Sequence, residues 1–205
     1  MLIAAAILAG LGIGFHQFSR DLEKYCGIKI SDDRNEVLYR LGFPPAVLDD
    51  SQKDGKYPGR RNYKTNRKAG SDDPDKFMPE GKTVADYYEW SYPLRGAANA
   101  DASVYIDFNR ATKAIESIDC VDFSDGRLCS PLLGIGIGDS EDHVRDRLGK
   151  PDRYDLDGVI KTMSYDAIGV EYKLTKGSVY YLKLYRSDKR SQIQLLYLYL
   201  RGLFT

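Results

Sequence analysis

The chain has 205 residues, room for one large or two small domains, and its 42% hydrophobic and 29% charged residues are the ordinary balance of a globular protein. Its formal net charge is zero, which excludes a protein whose whole surface is built to hold nucleic acid, though not a local basic patch. The 16 tyrosines against a single tryptophan point to strand-rich sheets with Tyr along their faces, or to an aromatic binding surface.

Leu2 to Phe15 is an uncharged run of Leu, Ile, Ala, Gly and Phe, and the first charges are Arg20 and Asp21. An uncharged stretch of about 18 residues is borderline for a spanning helix and is also the length of a signal peptide's apolar core. No Lys or Arg precedes it, and no small-x-small cleavage site closes it. A retained membrane anchor over residues 1–19 is therefore expected. The alternatives are secretion after signal cleavage and a helix buried in the protein's own core. Arg20 and Lys24 are offset by Asp21 and Glu23, so the flanking charges barely set an orientation.

A short phrase then occurs twice. Gly27-Ile28-Lys29-Ile30-Ser31-Asp32 is followed by Val37, Arg40, Leu41-Gly42 and Pro44. Gly134-Ile135-Gly136-Ile137-Gly138-Asp139 is followed, at one constant offset, by Val144, Arg147, Leu148-Gly149 and Pro151. Self-similarity of this kind predicts two related subdomains in tandem. In the first copy Asp32 or Asp33 caps a helix, Val37 and Leu41 face inward, Gly42 stops it and Pro44 follows. In the second, Asp139 or Ser140 caps a helix over about 140–148, Val144 and Leu148 face inward, and Gly149 stops it.

The segment at about 51–82 has no counterpart in the second copy. Lys53, Lys56, Arg60, Arg61, Lys64, Arg67 and Lys68 oppose one acid, Asp54, between Ser51 and Gly70. That composition predicts a mobile loop, either simply solvated or a basic arm touching an acidic protein or anionic headgroups. Tyr57 and Tyr63 interleave with the charges as in nucleic-acid arms, but net neutrality and the apolar N-terminus argue against nucleic acid as a partner.

Strands follow. Asp86 to Tyr92, Val104 to Phe108 and Ala114 to Ile118 make a predicted meander in the first copy. Lys161 to Tyr165, Ile168 to Leu174 and Val179 to Tyr185, with a tight turn at Thr175-Lys176-Gly177, make one in the second. Between the copies, Cys120 and Cys129 flank a Ser-Asp-Gly turn signal and are expected to form a local disulfide if the domain lies outside the cytosol. Cys26 is left single. The tail from Ser187 to Thr205 is apolar almost all round. Ile193, Leu196, Tyr197, Leu200 and Phe204 form one helical stripe and Leu195, Leu198 and Tyr199 another, while a strand over Gln192 to Leu200 fits nearly as well.

The phrase "Gly-Ile-x-Ile-Gly-Asp-Ser, Val at helix spacing, Leu-Gly-x-Pro", followed by strands, resembles the SmpA/OmlA (BamE-like) domain, and tandem copies resemble the architecture of β-lactamase inhibitor proteins. The second copy, about 134–186, is the closer match; the first has Ser31 where the second has Gly138, and carries the insertion. The resemblance implies a helical layer on an antiparallel sheet, a place in the bacterial envelope, and binding as the function. The chain lacks the acylated cysteine of the outer-membrane assembly lipoproteins, so membership of that complex is not implied.

Catalytic chemistry finds no motif. Gly134-x-Gly136-x-Gly138 is not the dinucleotide fingerprint and opens no βαβ unit. His143 lies in a charged helix without a nucleophile motif. Asp122, Asp125, Asp155 and Asp157 have no metal-loop spacing. No catalytic residue, cofactor, metal or small-molecule substrate is expected. The predicted fold is α+β, two tandem helix-plus-antiparallel-meander subdomains (20–130 and 131–205) behind an N-terminal membrane segment. The expected function is a membrane-tethered, periplasm-facing envelope protein that binds other proteins, as scaffold or assembly factor. The alternative is an inhibitor of a periplasmic or secreted enzyme acting through a Tyr-rich sheet face. Candidate partner-binding residues are Arg60, Arg61, Lys64, Arg67, Lys68, Trp90, Tyr105, Tyr180 and Tyr181.

Overall fold

Local chemistry sets the first two helices. Asp33 accepts a hydrogen bond from the Glu36 N–H and starts α1 (Arg34–Leu41). Ser140 accepts from the His143 N–H and starts α2 (Glu141–Leu148). Each cap satisfies one of the donors that a helix N-terminus leaves unpaired. Gly42 and Gly149 end the helices with φ of 79° and 84°, left-handed values that a Cβ disfavours. The phrase keeps the same local geometry further along: the Tyr92 hydroxyl donates to the Gly42 carbonyl at 3.1 Å, and the Tyr165 hydroxyl donates to the Gly149 carbonyl at 3.1 Å.

A computed structural model describes residues 13–16, 19, 23–49, 61–65, 77–94, 102–123, 128–189 and 191–202. A hairpin of β1 (Lys24–Tyr25) and β2 (Ile28–Lys29) precedes α1. Then come β3 (Ala46–Asp49), β4 (Arg61–Lys64), a 3-10 turn at Val84–Asp86, β5 (Glu89–Pro93), β6 (Ala102–Phe108) and β7 (Ile115–Asp122). After α2 follow β8 (Arg153–Asp157), β9 (Ile160–Tyr165), β10 (Val170–Thr175), β11 (Ser178–Tyr185) and the helix α3 (Gln192–Gly202). Strands β3 to β11 form one nine-stranded antiparallel sheet in the order β4-β3-β5-β6-β7-β11-β10-β9-β8.

This architecture corrects the predicted fold class. The described chain is mostly one antiparallel sheet with a few short helices, not two separate helix-plus-three-stranded-meander subdomains. Strands β7 and β11 pair directly, Val121 opposite Tyr181 and Ser117 opposite Tyr185. Each would otherwise leave a row of unpaired backbone groups at a sheet edge, and pairing removes both edges at once. Besides the β1–β2 hairpin, three strands of the nine-stranded sheet lie outside the predicted meanders: β3, β4 and β8. The basic insertion is therefore not wholly a loop. Arg61–Lys64 pairs with β3, and Phe77 is buried beside it. No described helix is long and apolar enough to cross a membrane. Residues 1–12, most of the apolar run, lie outside the described residues.

One apolar cluster underlies the sheet. Val37 of α1, Val144 and Leu148 of α2, and Leu195 and Leu198 of α3 join Trp90, Ile106, Ile118, Leu184, Tyr172 and Met163 from the strands. Helices and hairpin thus cover one sheet face, as a sheet with one solvated face requires. Within the tail, Gln192–Gly202 is a helix, α3, and not the strand that its sequence fitted nearly as well.

Cys120 and Cys129 are both buried and joined in a disulfide, with Cα atoms 5.9 Å apart. Cys26 is the free cysteine. Thiol labelling of the unfolded, unreduced protein is expected to find one reactive cysteine. The Cys129→Ser variant is expected to lose about 2–3 kcal/mol of stability by the chain-entropy relation for so short a loop. Three reactive thiols, or an unchanged denaturation midpoint, would contradict this.

Candidate partner-binding face

Strand alternation gives the sheet a second face, turned away from the apolar cluster. The registers align one row across seven strands: Ser91, Tyr105, Asp119, Lys183, Glu171, Ser164 and Arg153. Every member is polar, and the charges alternate from Asp119 through Lys183 and Glu171 to Arg153. Opposite charges facing each other across strands are mutually favourable.

The middle of this row is tightly bonded. Asp119 is 8% exposed, although it faces away from the apolar core. Its Oδ2 accepts from the Tyr181 hydroxyl at 2.6 Å and lies 3.5 Å from Lys183 Nζ. Its Oδ1 is buried without a hydrogen-bond partner. Lys173 Nζ lies 4.7 Å above the Tyr181 ring. Burial first, and the Asp119 charge second, push the Tyr181 hydroxyl well above its ordinary range, so it stays a neutral donor. Ser164 donates to Glu171 at 3.1 Å.

A second knot closes one end of the row. Arg153 holds Asp166 through Nε and Nη2, both at 2.9 Å, and Tyr185 donates to the same carboxylate at 2.5 Å. These donors hold the Asp166 carboxyl down to about 2, led by Arg153 and then Tyr185. A carboxyl whose pKa is depressed on folding contributes stability above its unfolded pKa, and that contribution is lost as pH falls through the folded value. The Arg153 side chain is 55% exposed, so solvent screening limits the contribution to about 1 kcal/mol. Asp166→Asn is expected to lose that much at pH 7. In denaturation curves taken from pH 6 down to pH 2, the gap to the parent protein is expected to narrow below pH 4. A gap that does not change with pH would refute this.

The predicted binding residues separate on the structure. Tyr105 and Tyr181 lie in the polar face and are half-buried. Tyr180 sits where the β10–β11 register shifts, half-buried, with its ring stacked 5.1 Å from exposed Phe123. Trp90 is a correction: it is 1% exposed, because its place in β5 turns it toward the helices. Lys64 is exposed at the end of β4. Arg61 belongs to β4, but its side chain lies outside the described residues, as do Arg60, Arg67 and Lys68 entirely.

Sequence reasoning passed over Arg34. Its guanidinium lies 4.8 Å from the Phe108 ring centroid, 5.2 Å from Tyr88 and 5.7 Å from Trp90, and donates to the Ala85 and Tyr87 carbonyls. Lys113 donates to the Tyr88 hydroxyl at 2.6 Å, and Arg110 stacks on the same ring at 5.2 Å. The Lys113 bond, with the nearby Arg34 and Arg110 charges, lowers the Tyr88 hydroxyl from its usual value. An Arg directly after a helix cap was the available signal. Its aromatic partners are about 50 to 75 positions further on, beyond any local pattern.

A cleft of about 460 Å³ beside this cluster is lined by Tyr88, Glu89, Asp107, Arg110 and Glu116. Another, of about 600 Å³, lies between β1 and the disulfide and includes Cys26, Tyr92, Leu94 and Cys120. Burial pushes the Cys26 thiol up to about 12, which leaves it protonated and a poor nucleophile at neutral pH. His143 lies 3.7 Å from Asp139, which stands just before the Ser140 cap of the same helix. The Gly134–Gly138 segment is a turn in which the Gly136 N–H donates to Asp139 at 2.7 Å. Among the described residues no group of His, Cys, Asp and Glu is placed to hold a metal ion. No protein-family model, curated protein or solved structure matches the chain.

Proposed function

We propose that the chain is a membrane-tethered bacterial envelope protein that binds other proteins as a scaffold or assembly factor, with its soluble part in the periplasm. The observation that carries this reading is the buried Cys120–Cys129 disulfide, because such bonds persist in oxidising compartments and are rare in the cytosol. The apolar N-terminal run and the resemblance of the repeated phrase to the SmpA/OmlA domain support the same compartment. The binding surface is the polar sheet face, where Asp119, Tyr181, Lys173 and Lys183 form a preordered charged patch. Preordered side chains lose little entropy on meeting a partner. A photo-crosslinker at Tyr105, tested in bacterial cells, is expected to trap an envelope protein, whereas one at Lys176 in the β10–β11 turn is not. Lys173→Glu with Lys183→Glu is expected to abolish the crosslink while the fold persists. Equal crosslinking from both sites, or none, would refute the reading.

A second reading has its own observation. Tyr105 and Tyr181 lie outside the apolar core, on the sheet face opposite the described helices. An inhibitor covering an enzyme's active site would present such a surface. This reading differs in its consequence: the trapped partner is an enzyme, and its activity falls in proportion to added protein.

A further inference from the structure

The helix α3 has two apolar faces. Leu195 and Leu198 are buried against the sheet. Ile193, Leu196, Tyr197 and Leu200 recur at i, i+3, i+4 and i+7 on the opposite side, and all four are exposed, Ile193 at 82% and Tyr197 at 57%. A surface helix normally turns polar residues outward at those positions. Here Gln192 and Gln194 fall only at the flanks between the two faces.

Charge points to what covers the outer face. Residues 191–205 contain no Asp or Glu and one cation, Arg201; just before the helix, between Asp188 and Arg190 in the sequence, Lys189 stands exposed with its Nζ 3.8 Å from the Asp166 carboxylate. That composition suits an anionic lipid surface better than water. The chain's other apolar segment meets α3 directly. Residues 13–16 are helical, and Phe15 packs edge-on to Tyr199 with ring centroids 5.8 Å apart. Gly14 lies so close to the Tyr199 hydroxyl that a Cβ there would overlap it. Ile13, where the uncharged run enters the described structure, is exposed. Two apolar segments from opposite ends of the chain thus adjoin, and one carries an outward apolar stripe.

We propose that α3 lies flat on the lipid surface, with Ile193, Leu196, Tyr197 and Leu200 set among the acyl chains and Lys189 at anionic headgroups. A short helix with Leu, Ile and Tyr on its outer face and a cation at its border has the chemistry of an interfacial helix, with tyrosine at the headgroup level. The attachment is then to the membrane surface and is shared between the two chain ends. This rests on the tethered reading given above, and deepens it by naming the surface that meets lipid.

An environment-sensitive fluorophore tests it in the full chain carrying Cys26→Ser. The label is placed at Ile193→Cys or, as a control, at Lys176→Cys in the exposed β10–β11 turn. Vesicles of phosphatidylethanolamine and phosphatidylglycerol are the probe, with and without a spin-labelled lipid. The expected result is flotation of both proteins with the vesicles, a blue shift at position 193 only, and quenching by the spin-labelled lipid about twofold or more stronger at 193 than at 176. Flotation with a water-like signal at 193 would overturn this inference and leave the tether standing. A 193 signal already shifted without vesicles, together with a dimer mass in sedimentation, would assign the face to a second copy and overturn it too. Failure to float at all would overturn the tether and this inference together.

Discussion

Trp90→Ala is expected to destabilise the protein by about 3–5 kcal/mol, the range for deleting a large buried aromatic side chain. Trp90 is packed edge-on to Phe108 with ring centroids 4.7 Å apart, and its indole N–H donates to the Val84 carbonyl at 3.0 Å. Truncation opens a cavity, takes from that carbonyl one of its two donors and leaves it the Tyr87 N–H at 3.2 Å, and removes one of the rings beneath the Arg34 guanidinium. The three effects act on one spot, where the 3-10 turn, α1 and β5 meet, so little of the void can be refilled by collapse. Trp90→Phe keeps a ring but removes the N–H, and is expected to lose about 1–2 kcal/mol. Trp90 is the single tryptophan, so unfolding of both variants has to be followed by far-ultraviolet circular dichroism in urea. Against a typical net stability of about 5–15 kcal/mol, the Ala variant is expected to shift the midpoint strongly. A loss under about 1 kcal/mol would show that Trp90 is not a structural centre of this core.

Gly169→Ala is expected to lose about 3 kcal/mol or more, combining left-handed strain with a steric overlap. Gly169 has φ of +71°, and a Cβ there would lie 2.4 Å from the Tyr185 carbonyl oxygen. The overlap cannot be relieved by a rotamer change, because the obstacle is backbone. Nor can the turn move away. The Gly169 N–H donates to Tyr165 at 2.9 Å, and its carbonyl accepts from the Tyr185 N–H at 2.8 Å. Gly177 separates the two contributions: its φ is +81°, but nothing lies within 4 Å of where a Cβ would stand. Gly177→Ala is expected to lose only about 1 kcal/mol, from strain alone. Equal losses at the two sites in thermal or urea unfolding would show that the close approach of Tyr185 does not matter.

The features legible in the sequence are those made by neighbours along the chain. Asp33 and Ser140 cap α1 and α2, and Gly42 and Gly149 end them, because a cap needs a side chain and an N–H three positions apart and a stop needs one residue without a Cβ. The turn at Lys176-Gly177 and the alternation of β10, with Val170, Tyr172 and Leu174 buried, belong to the same class. So does the disulfide, whose cysteines are separated by nine positions.

What stayed hidden depends on partners far away in the chain. β8 alternates polar and apolar residues over only five positions, and every one of them is exposed, so pairing with β9 rather than burial makes it a strand. β4 lies in a segment whose charge suggested a loop, and pairing with β3, together with a bridge from Lys64 to Phe77, orders it. Tyr180 and Tyr181 are neighbours, yet a register shift leaves neither in the core; Val179 and Leu182, buried though three apart, were the trace of it. Trp90 looked as suitable for a binding face as Tyr105. Alternation puts the two on opposite sides, but which side the helices cover is a long-range choice. The joining of β7 to β11 decided the whole architecture. It is made by backbone groups that every residue carries, so no side chain announces it, and only the assembled sheet, by removing two open edges, selects it.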